Sequence, residues 1–197
     1  MPEPIEVRFS CIGDSSIGKT VLLYAYFHDM YGPESEYDES LGFSTDLTLN
    51  GTKFLLYGQD SDASVTNEIL RSDLYEKVDV ILLCFSIIDE KSFLNIETRW
   101  IPEITKLAKD VPVVLVGTHG DYRVDPPEDT TLVSKEQAEE LVTRLQLYKY
   151  LECCTKTKEG LSDIFNAAAT AAHERMLTKG RSGRGRGGDG GSSCEIM

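Results

Sequence analysis

Eight consecutive residues near the start of the chain have the spacing of a phosphate-binding loop, Gly13-Asp14-Ser15-Ser16-Ile17-Gly18-Lys19-Thr20. They match the pattern Gly-x-x-x-x-Gly-Lys-Ser/Thr, in which backbone N–H groups surround phosphate at the N-terminus of a helix. In this arrangement Lys19 reaches the outer phosphates and the Thr20 hydroxyl binds Mg²⁺. These residues therefore predict a site for a phosphate-bearing nucleotide and a magnesium ion.

The flanking sequence predicts the strand and the helix that such a loop needs. Apolar and polar residues alternate over residues 5–12, as in a β-strand, and an apolar run after Thr20 begins a helix predicted over residues 19–28. Two further strands, at about residues 45–49 and 52–57, flank Asn50-Gly51, which is a strong signal for a hairpin turn.

The rest of the chain alternates between strands and helices. Continuous apolar runs at residues 78–86 and 112–117 predict strands buried on both faces of a sheet, and a short last strand is predicted at residues 150–153. Helices are predicted at residues 90–107, at residues 134–145 behind a capping box, and at residues 161–177. This order predicts an α/β fold with a six-stranded, mostly parallel sheet flanked by helices, one hairpin strand being antiparallel.

Composition predicts one domain, residues 1–178, followed by a disordered basic Gly/Arg tail, residues 179–197. The formal net charge of −13 argues against general nucleic-acid binding. The sequence contains no apolar run long enough to span a bilayer, and Cys11 and Cys84 lie in apolar strand patterns. We therefore expect buried free thiols and a reducing compartment such as the cytosol. We also expect a monomer.

With these motifs, the chain resembles the Rho family of small GTPases over about residues 4–177. The resemblance rests on the phosphate loop, the hairpin, the run Val78–Ser86 and the segment Glu152–Gly160. The last four residues, Cys194-Glu195-Ile196-Met197, are similar to the family's prenylation box. The resemblance implies a P-loop small GTPase (G domain) fold and a guanine-nucleotide switch that binds GTP or GDP with Mg²⁺ and recruits effector proteins.

The same resemblance assigns the site residue by residue. It implies nucleotide contacts at Gly13, Asp14, Ser15, Ser16, Ile17, Gly18, Lys19, Thr20, Tyr31, Asp60, Thr118, Asp121, Cys154, Thr155 and Lys156. Thr20 and Asp60 would hold the metal, and Tyr31 would cover the guanine base. Asp121 would accept both guanine N–H donors, which is a charge-assisted contact that selects guanine.

The base-reading segments depart from the family pattern. Thr118-His119-Gly120-Asp121 stands where the family has N-K-x-D, and Cys154-Thr155-Lys156 stands where it has S-A-K. We expect Thr118 to lose the asparagine's brace to the phosphate loop, and His119 to replace a lysine that packs on the base. The Thr155 contact is a backbone N–H, so it tolerates the change. The expected result is retained guanine preference with weaker binding and faster exchange.

The positions that catalyse GTP hydrolysis in the family also differ in this chain, and none of them is intact. Ser15 replaces the family's second loop glycine, where its side chain crowds the attacking water and an incoming arginine. Asp60-Ser61-Asp62-Ala63-Ser64 replaces D-T-A-G-Q, so Ser64 stands at the position that orients the water. Each loss typically removes a few kcal/mol of transition-state stabilisation. We expect very slow or absent GTP hydrolysis.

The surface that binds effectors in the family is altered as well. The family's P-T-V-F falls at Tyr37-Asp38-Glu39-Ser40, so Asp38 replaces the threonine that closes over Mg²⁺. We expect this loop to be mobile or differently folded, with effector and regulator partners of altered specificity. Residues 124–132 are shorter than the insert that marks the Rho family and contain Pro126-Pro127, so no insert helix is expected there.

The tail predicts attachment to a membrane. Prenylation of Cys194, by farnesyl because Met197 is last, gives only reversible binding, and basic tail residues supply a second signal. The expected location is the cytoplasmic face of the plasma membrane or an endomembrane, with a cytosolic fraction. A flexible spacer or a weak RNA-binding tract is the alternative for this Gly/Arg segment.

Several functions stay open at the level of sequence. The first is an atypical Rho-like protein that binds GTP, hydrolyses it poorly and acts as a membrane-attached scaffold. The second is a nucleotide-free pseudo-GTPase that acts only through protein interactions. The third is a working enzyme whose missing groups come from a partner, and a P-loop kinase is more distant. Retention of Lys19, Thr20, Asp60 and Asp121 favours the first.

Overall fold

The computed structural model describes residues 3–32, 37, 41–60, 72 and 75–184. The six strands are β1 Ile5–Gly13, β2 Phe43–Leu49, β3 Thr52–Asp60, β4 Val80–Ser86, β5 Val113–Thr118 and β6 Lys149–Glu152. The helices are α1 Lys19–Phe27, α2 Glu90–Asn95, a π-helical turn Ile96–Trp100, α3 Ile101–Leu107, a 3₁₀ turn Gly120–Arg123, α4 Lys135–Leu145 and α5 Leu161–Arg184.

The strands form one sheet in the order β2-β3-β1-β4-β5-β6. All neighbouring pairs are parallel except β2 and β3, which form the antiparallel hairpin. Asn50 and Gly51 have φ angles of 49° and 80°, as a two-residue type I′ turn requires. The predicted fold class is confirmed. Because β1, β4 and β5 run parallel, their carboxyl ends lie together at one edge of the sheet.

The sheet is covered on both faces, and its central strand shows this residue by residue. In β4, Leu82 and Cys84 pack with α1 and α5, whereas Ile81, Leu83 and Phe85 pack with α2, α3 and α4. All five side chains are fully buried. This is why the strand reads as a continuous apolar run. Among the described residues, no helix combines the length and apolarity needed to cross a membrane.

The cysteine prediction is confirmed where the chain is described. Cys11 and Cys84 are buried and free, and their Sγ atoms lie 3.4 Å apart behind the phosphate loop. The hydrogen bond with Cys84 and the burial both raise the pKa of the Cys11 thiol. Cys11 is therefore a neutral, packed side chain rather than a metal ligand or a nucleophile.

Most element ends lie within about two residues of the sequence prediction, and three elements differ in ways that matter for the fold or the site. Strand β3 reaches Asp60 rather than residue 57, so Asp60 ends a strand instead of lying in a loop. The predicted helix 90–107 contains a π-helical turn, Ile96–Trp100. Helix α5 continues to Arg184, past the end predicted near Leu177, because extending a formed helix costs less than starting one. As expected, residues 124–132 contain no helix.

Candidate functional site

The phosphate loop connects β1 to α1 at the carboxyl edge of the sheet. A Cβ atom at Gly13 would lie 2.3 Å from the Cys84 carbonyl oxygen, so only glycine fits between the paired strands. Gly18 has a φ of 87° and caps α1, and Ser16 has a φ of 59°. This left-handed geometry turns the chain sharply into the helix, so that backbone N–H groups at its start are available to an anion.

Lys19 is buried under this loop. Its side chain is only 5% exposed, and its Nζ donates a hydrogen bond to the Asp14 carbonyl oxygen at 2.6 Å. A buried ammonium needs such a partner, because an unpaired charge is costly away from water. The contact fixes a positive charge at the loop, where a phosphate group would be neutralised.

The two predicted metal ligands lie side by side. Thr20 Oγ1 donates a hydrogen bond to Asp60 Oδ2 at 2.6 Å, which joins the start of α1 to the end of β3. A hydroxyl and a carboxylate are the hard oxygen donors that Mg²⁺ prefers, so these residues fit that ion. In the described part of the chain, no group of three or more His, Cys, Asp or Glu side chains is arranged to hold a metal ion.

A pocket with a volume of about 470 Å³ lies beside the phosphate loop. It is lined by five residues that the resemblance assigns to nucleotide contacts, namely Tyr31, Thr118, Asp121, Thr155 and Lys156. Sequence reasoning missed Tyr122, Val21 and Gly32, which also line it. Tyr31 is 54% exposed and forms the rim. Asp121 is one of the lining residues, and a carboxylate at this position would accept the N–H donors of a base.

The contacts of Thr118 differ from those expected from the sequence. The sequence predicted that it would lose the brace to the phosphate loop, but Thr118 Oγ1 donates to the Ile17 carbonyl oxygen at 2.6 Å. The Phe85 carbonyl oxygen is 3.1 Å from the same hydroxyl. Thr118 is 1% exposed, so this hydrogen bond is shielded from water. A threonine at the end of β5 therefore ties the base pocket to the phosphate loop.

His119 follows directly and has a φ of 62°, which directs its ring towards Gly18. Its Nδ1 lies 3.0 Å from Ser86 Oγ and 3.1 Å from Thr118 Oγ1. Burial lowers the pKa of His119, and the nearby Asp121 carboxylate opposes this shift only in part. The ring is thus held in its neutral form against the wall of the base pocket.

The Cys153-Cys154 segment shapes the pocket from behind. Cys154 is buried and does not line the pocket; its N–H donates to the Glu159 carbonyl oxygen at 3.0 Å, closing the turn that carries Thr155 and Lys156. The Gly120 N–H donates to the Cys153 carbonyl oxygen at 2.8 Å. The two base-contacting segments are therefore hydrogen-bonded to each other.

Other predicted positions divide between the surface and the undescribed part of the chain. Ser15 is exposed at the phosphate loop. Ser64, Asp38 and Cys194 lie outside the described residues.

The sequence analysis did not identify three residues that contact the Asp14 carboxylate, namely Asn95, Arg99 and Trp100. One feature of the sequence could have indicated such a contact: the indole N–H of Trp100 needs a hydrogen-bond acceptor when the side chain is buried.

A mostly parallel sheet with a phosphate loop after β1 and a base pocket after β5 and β6 defines a P-loop nucleotide-binding protein of the G-domain type. Residues 8–174 match the sequence model of the Ras family. The chain therefore belongs to the Ras family of small GTPases. Membership implies binding of GTP or GDP with Mg²⁺, a role in signalling, and regulator and effector partners in general.

The Thr118 brace gives a first test. Thr118→Val keeps the shape but removes the hydroxyl and leaves the Ile17 carbonyl oxygen buried without this donor. We expect the affinity for GDP to fall about tenfold and the free energy of unfolding to fall by about 1–3 kcal/mol. Titration with fluorescent GDP and denaturant unfolding measure the two effects. Thr118→Ser retains the hydroxyl and should stay close to the native protein; equal losses in both variants would contradict the brace.

His119 gives a test of pH dependence. Its pKa is lowered on folding, so below about pH 6.5 the unfolded chain takes up the proton first and stability falls as the pH drops. We expect the free energy of unfolding to decrease from about pH 7.5 to about pH 5.5 more steeply in the native protein than in His119→Asn. Asparagine tolerates the positive φ and does not titrate. Parallel curves for the two proteins would show that His119 does not contribute.

Proposed function

We propose that this Ras-family protein is a Rho-type member that binds guanine nucleotide, hydrolyses GTP very slowly or not at all, and acts as a membrane-attached scaffold. The observation that carries nucleotide binding is the brace between Thr118 and Ile17, which holds the base pocket and the phosphate loop as one unit. A nucleotide binds tightly only if both parts are fixed at the distance of its base and phosphates.

The binding chemistry follows from the residues that the structure brings together. The phosphate loop and Lys19 would receive the phosphates, and the Asp121 carboxylate would accept the N–H donors of guanine. Thr20 and Asp60 would hold Mg²⁺, which neutralises phosphate charge when bound. The neutral His119 ring adds no charge to the pocket, so guanine selection rests on Asp121.

Slow hydrolysis is proposed from two substitutions. Ser15 is exposed at the loop where the attacking water would have to fit, and Ser64 is too short to orient that water. With both positions changed, the protein's own residues bind and position GTP but provide no group that activates water. The altered sequence around Asp38 supports effectors of a different specificity from those of the usual Rho surface.

A nucleotide-free pseudo-GTPase is the second candidate, and two contacts favour it. Lys19 donates to the Asp14 carbonyl oxygen, and Thr20 donates to Asp60. Lys19 and Thr20, which would serve phosphate and metal, thus each already have a partner within the protein, so the fold does not need a ligand to pair them.

The nucleotide that remains bound after purification separates these functions. The full-length protein is denatured directly after purification and the released nucleotide is identified by chromatography. We expect about one equivalent of GTP, since transition-state stabilisation is missing while the binding groups are present. Mainly GDP would contradict slow hydrolysis. An empty site that also fails to bind added GTP would support the pseudo-GTPase. Ser15→Gly with Ser64→Gln should restore measurable hydrolysis.

Membrane attachment is proposed from the tail sequence. Cys194 would carry a farnesyl group, and four basic residues between 179 and 186 would bind anionic lipid. We expect Cys194→Ser to move the protein from the membrane pellet to the supernatant of fractionated cells, whereas Ser193→Ala should not. Replacing Arg181, Arg184 and Arg186 with glutamine should weaken attachment in part. A Cys194→Ser protein that stays in the pellet would refute prenylation as the anchor.

A further inference from the structure

The phosphate loop contains a negative charge that is held by groups far away in the sequence. The Asp14 side chain is 17% exposed and its two carboxylate oxygens have separate partners. Trp100 Nε1 donates to Oδ1 at 2.9 Å, and Asn95 Nδ2 donates to Oδ2 at 2.5 Å. The Arg99 guanidinium lies 3.7 Å from Oδ1. Both carboxylate oxygens of Asp14 therefore accept hydrogen bonds from residues outside the loop.

These contacts matter because the loop binds an anion. A free carboxylate there would repel phosphate and would compete for the same backbone N–H groups. Trp100 belongs to the core on the sheet face opposite α1. The Asp14 carboxylate is thus fixed towards that face, while its carbonyl oxygen stays with Lys19. Its charge is partly neutralised by Arg99 and its hydrogen-bonding capacity is used by Asn95 and Trp100.

The π-helical turn makes this arrangement possible. Asn95 is the last residue of α2, and Arg99 and Trp100 lie in the turn Ile96–Trp100 that follows. Trp100 is fully buried, and the Arg99 guanidinium lies 4.3 Å from the centre of its ring. A wider helical turn redirects successive side chains, and such turns are frequent at functional sites. The side chains of Asn95, Arg99 and Trp100 consequently all contact the Asp14 carboxylate.

We infer that Asn95, Arg99 and Trp100 are positioning residues that keep the Asp14 carboxylate away from the bound phosphates and thereby slow the release of nucleotide. The inference rests on the proposed binding of guanine nucleotide. Releasing the carboxylate places an uncompensated negative charge within reach of the loop N–H groups, so the nucleotide dissociates faster. Removing the charge from Asp14 itself should cancel this effect.

The test is a double-mutant comparison in the full-length protein. Dissociation of GDP that carries a fluorescent methylanthraniloyl group is followed after adding excess unlabelled GDP. We expect Asn95→Leu and Trp100→Phe each to accelerate dissociation about tenfold, as for loss of a hydrogen bond to a charged group. Adding Asp14→Asn to Asn95→Leu should return the rate to within about threefold of the native protein. Unchanged single-mutant rates would overturn the inference, and so would a double mutant as fast as Asn95→Leu.

Control measurements separate this role from a general loss of structure. Glu97 lies in the same π-helical turn but pairs with Arg144, so Glu97→Gln should leave the dissociation rate unchanged. An equal acceleration in Glu97→Gln would show nonspecific loosening and overturn the inference. If the native protein binds no guanine nucleotide, the proposed function fails instead. In that case, hydrogen–deuterium exchange of residues 14–20 tests whether the three residues position the Asp14 carboxylate. Faster exchange in Asn95→Leu that is reversed by adding Asp14→Asn supports the positioning role. Unchanged exchange refutes it.

Discussion

Gly13 lies where β1 ends beside β4, and a Cβ atom there would fall 2.3 Å from the Cys84 carbonyl oxygen. This close parallel pairing sets the position at which the chain leaves the sheet and enters the phosphate loop. Strand β5 pairs with β4 on the other side, with Thr118 beside Ser86, and so ends at the same edge. The phosphate loop and the base pocket are neighbours because three strands end together.

Hydrogen bonds convert this shared edge into a site with fixed dimensions. Thr118 connects the base pocket to Ile17 in the phosphate loop, and Gly120 connects the two base-contacting segments through Cys153. Thr20 and Asp60 join the metal position to the end of β3. Each contact links elements that are distant in sequence, so the dimensions of the site depend on the tertiary fold.

The site also accommodates an anion in a strongly acidic protein. The formal net charge of −13 disfavours phosphate at long range, so local groups must provide the attraction. Buried Lys19 and the start of α1 supply it, while the contacts from Asn95, Arg99 and Trp100 restrain the one carboxylate inside the loop. Overall charge therefore says little about what this site binds, because short-range contacts dominate it.

The sequence by itself determined the features that depend on near neighbours. Strand β4, the Asn50-Gly51 hairpin, the Ser134 capping box and the phosphate loop all follow from spacing within a few residues, and the structure has each of them. Only the tertiary structure decided the rest. The Thr118 hydroxyl and the Ile17 carbonyl oxygen are 101 residues apart, and Trp100 and Asp14 are 86 apart. Residue type reveals that a buried donor needs an acceptor, but the packing of the whole chain selects which acceptor it meets.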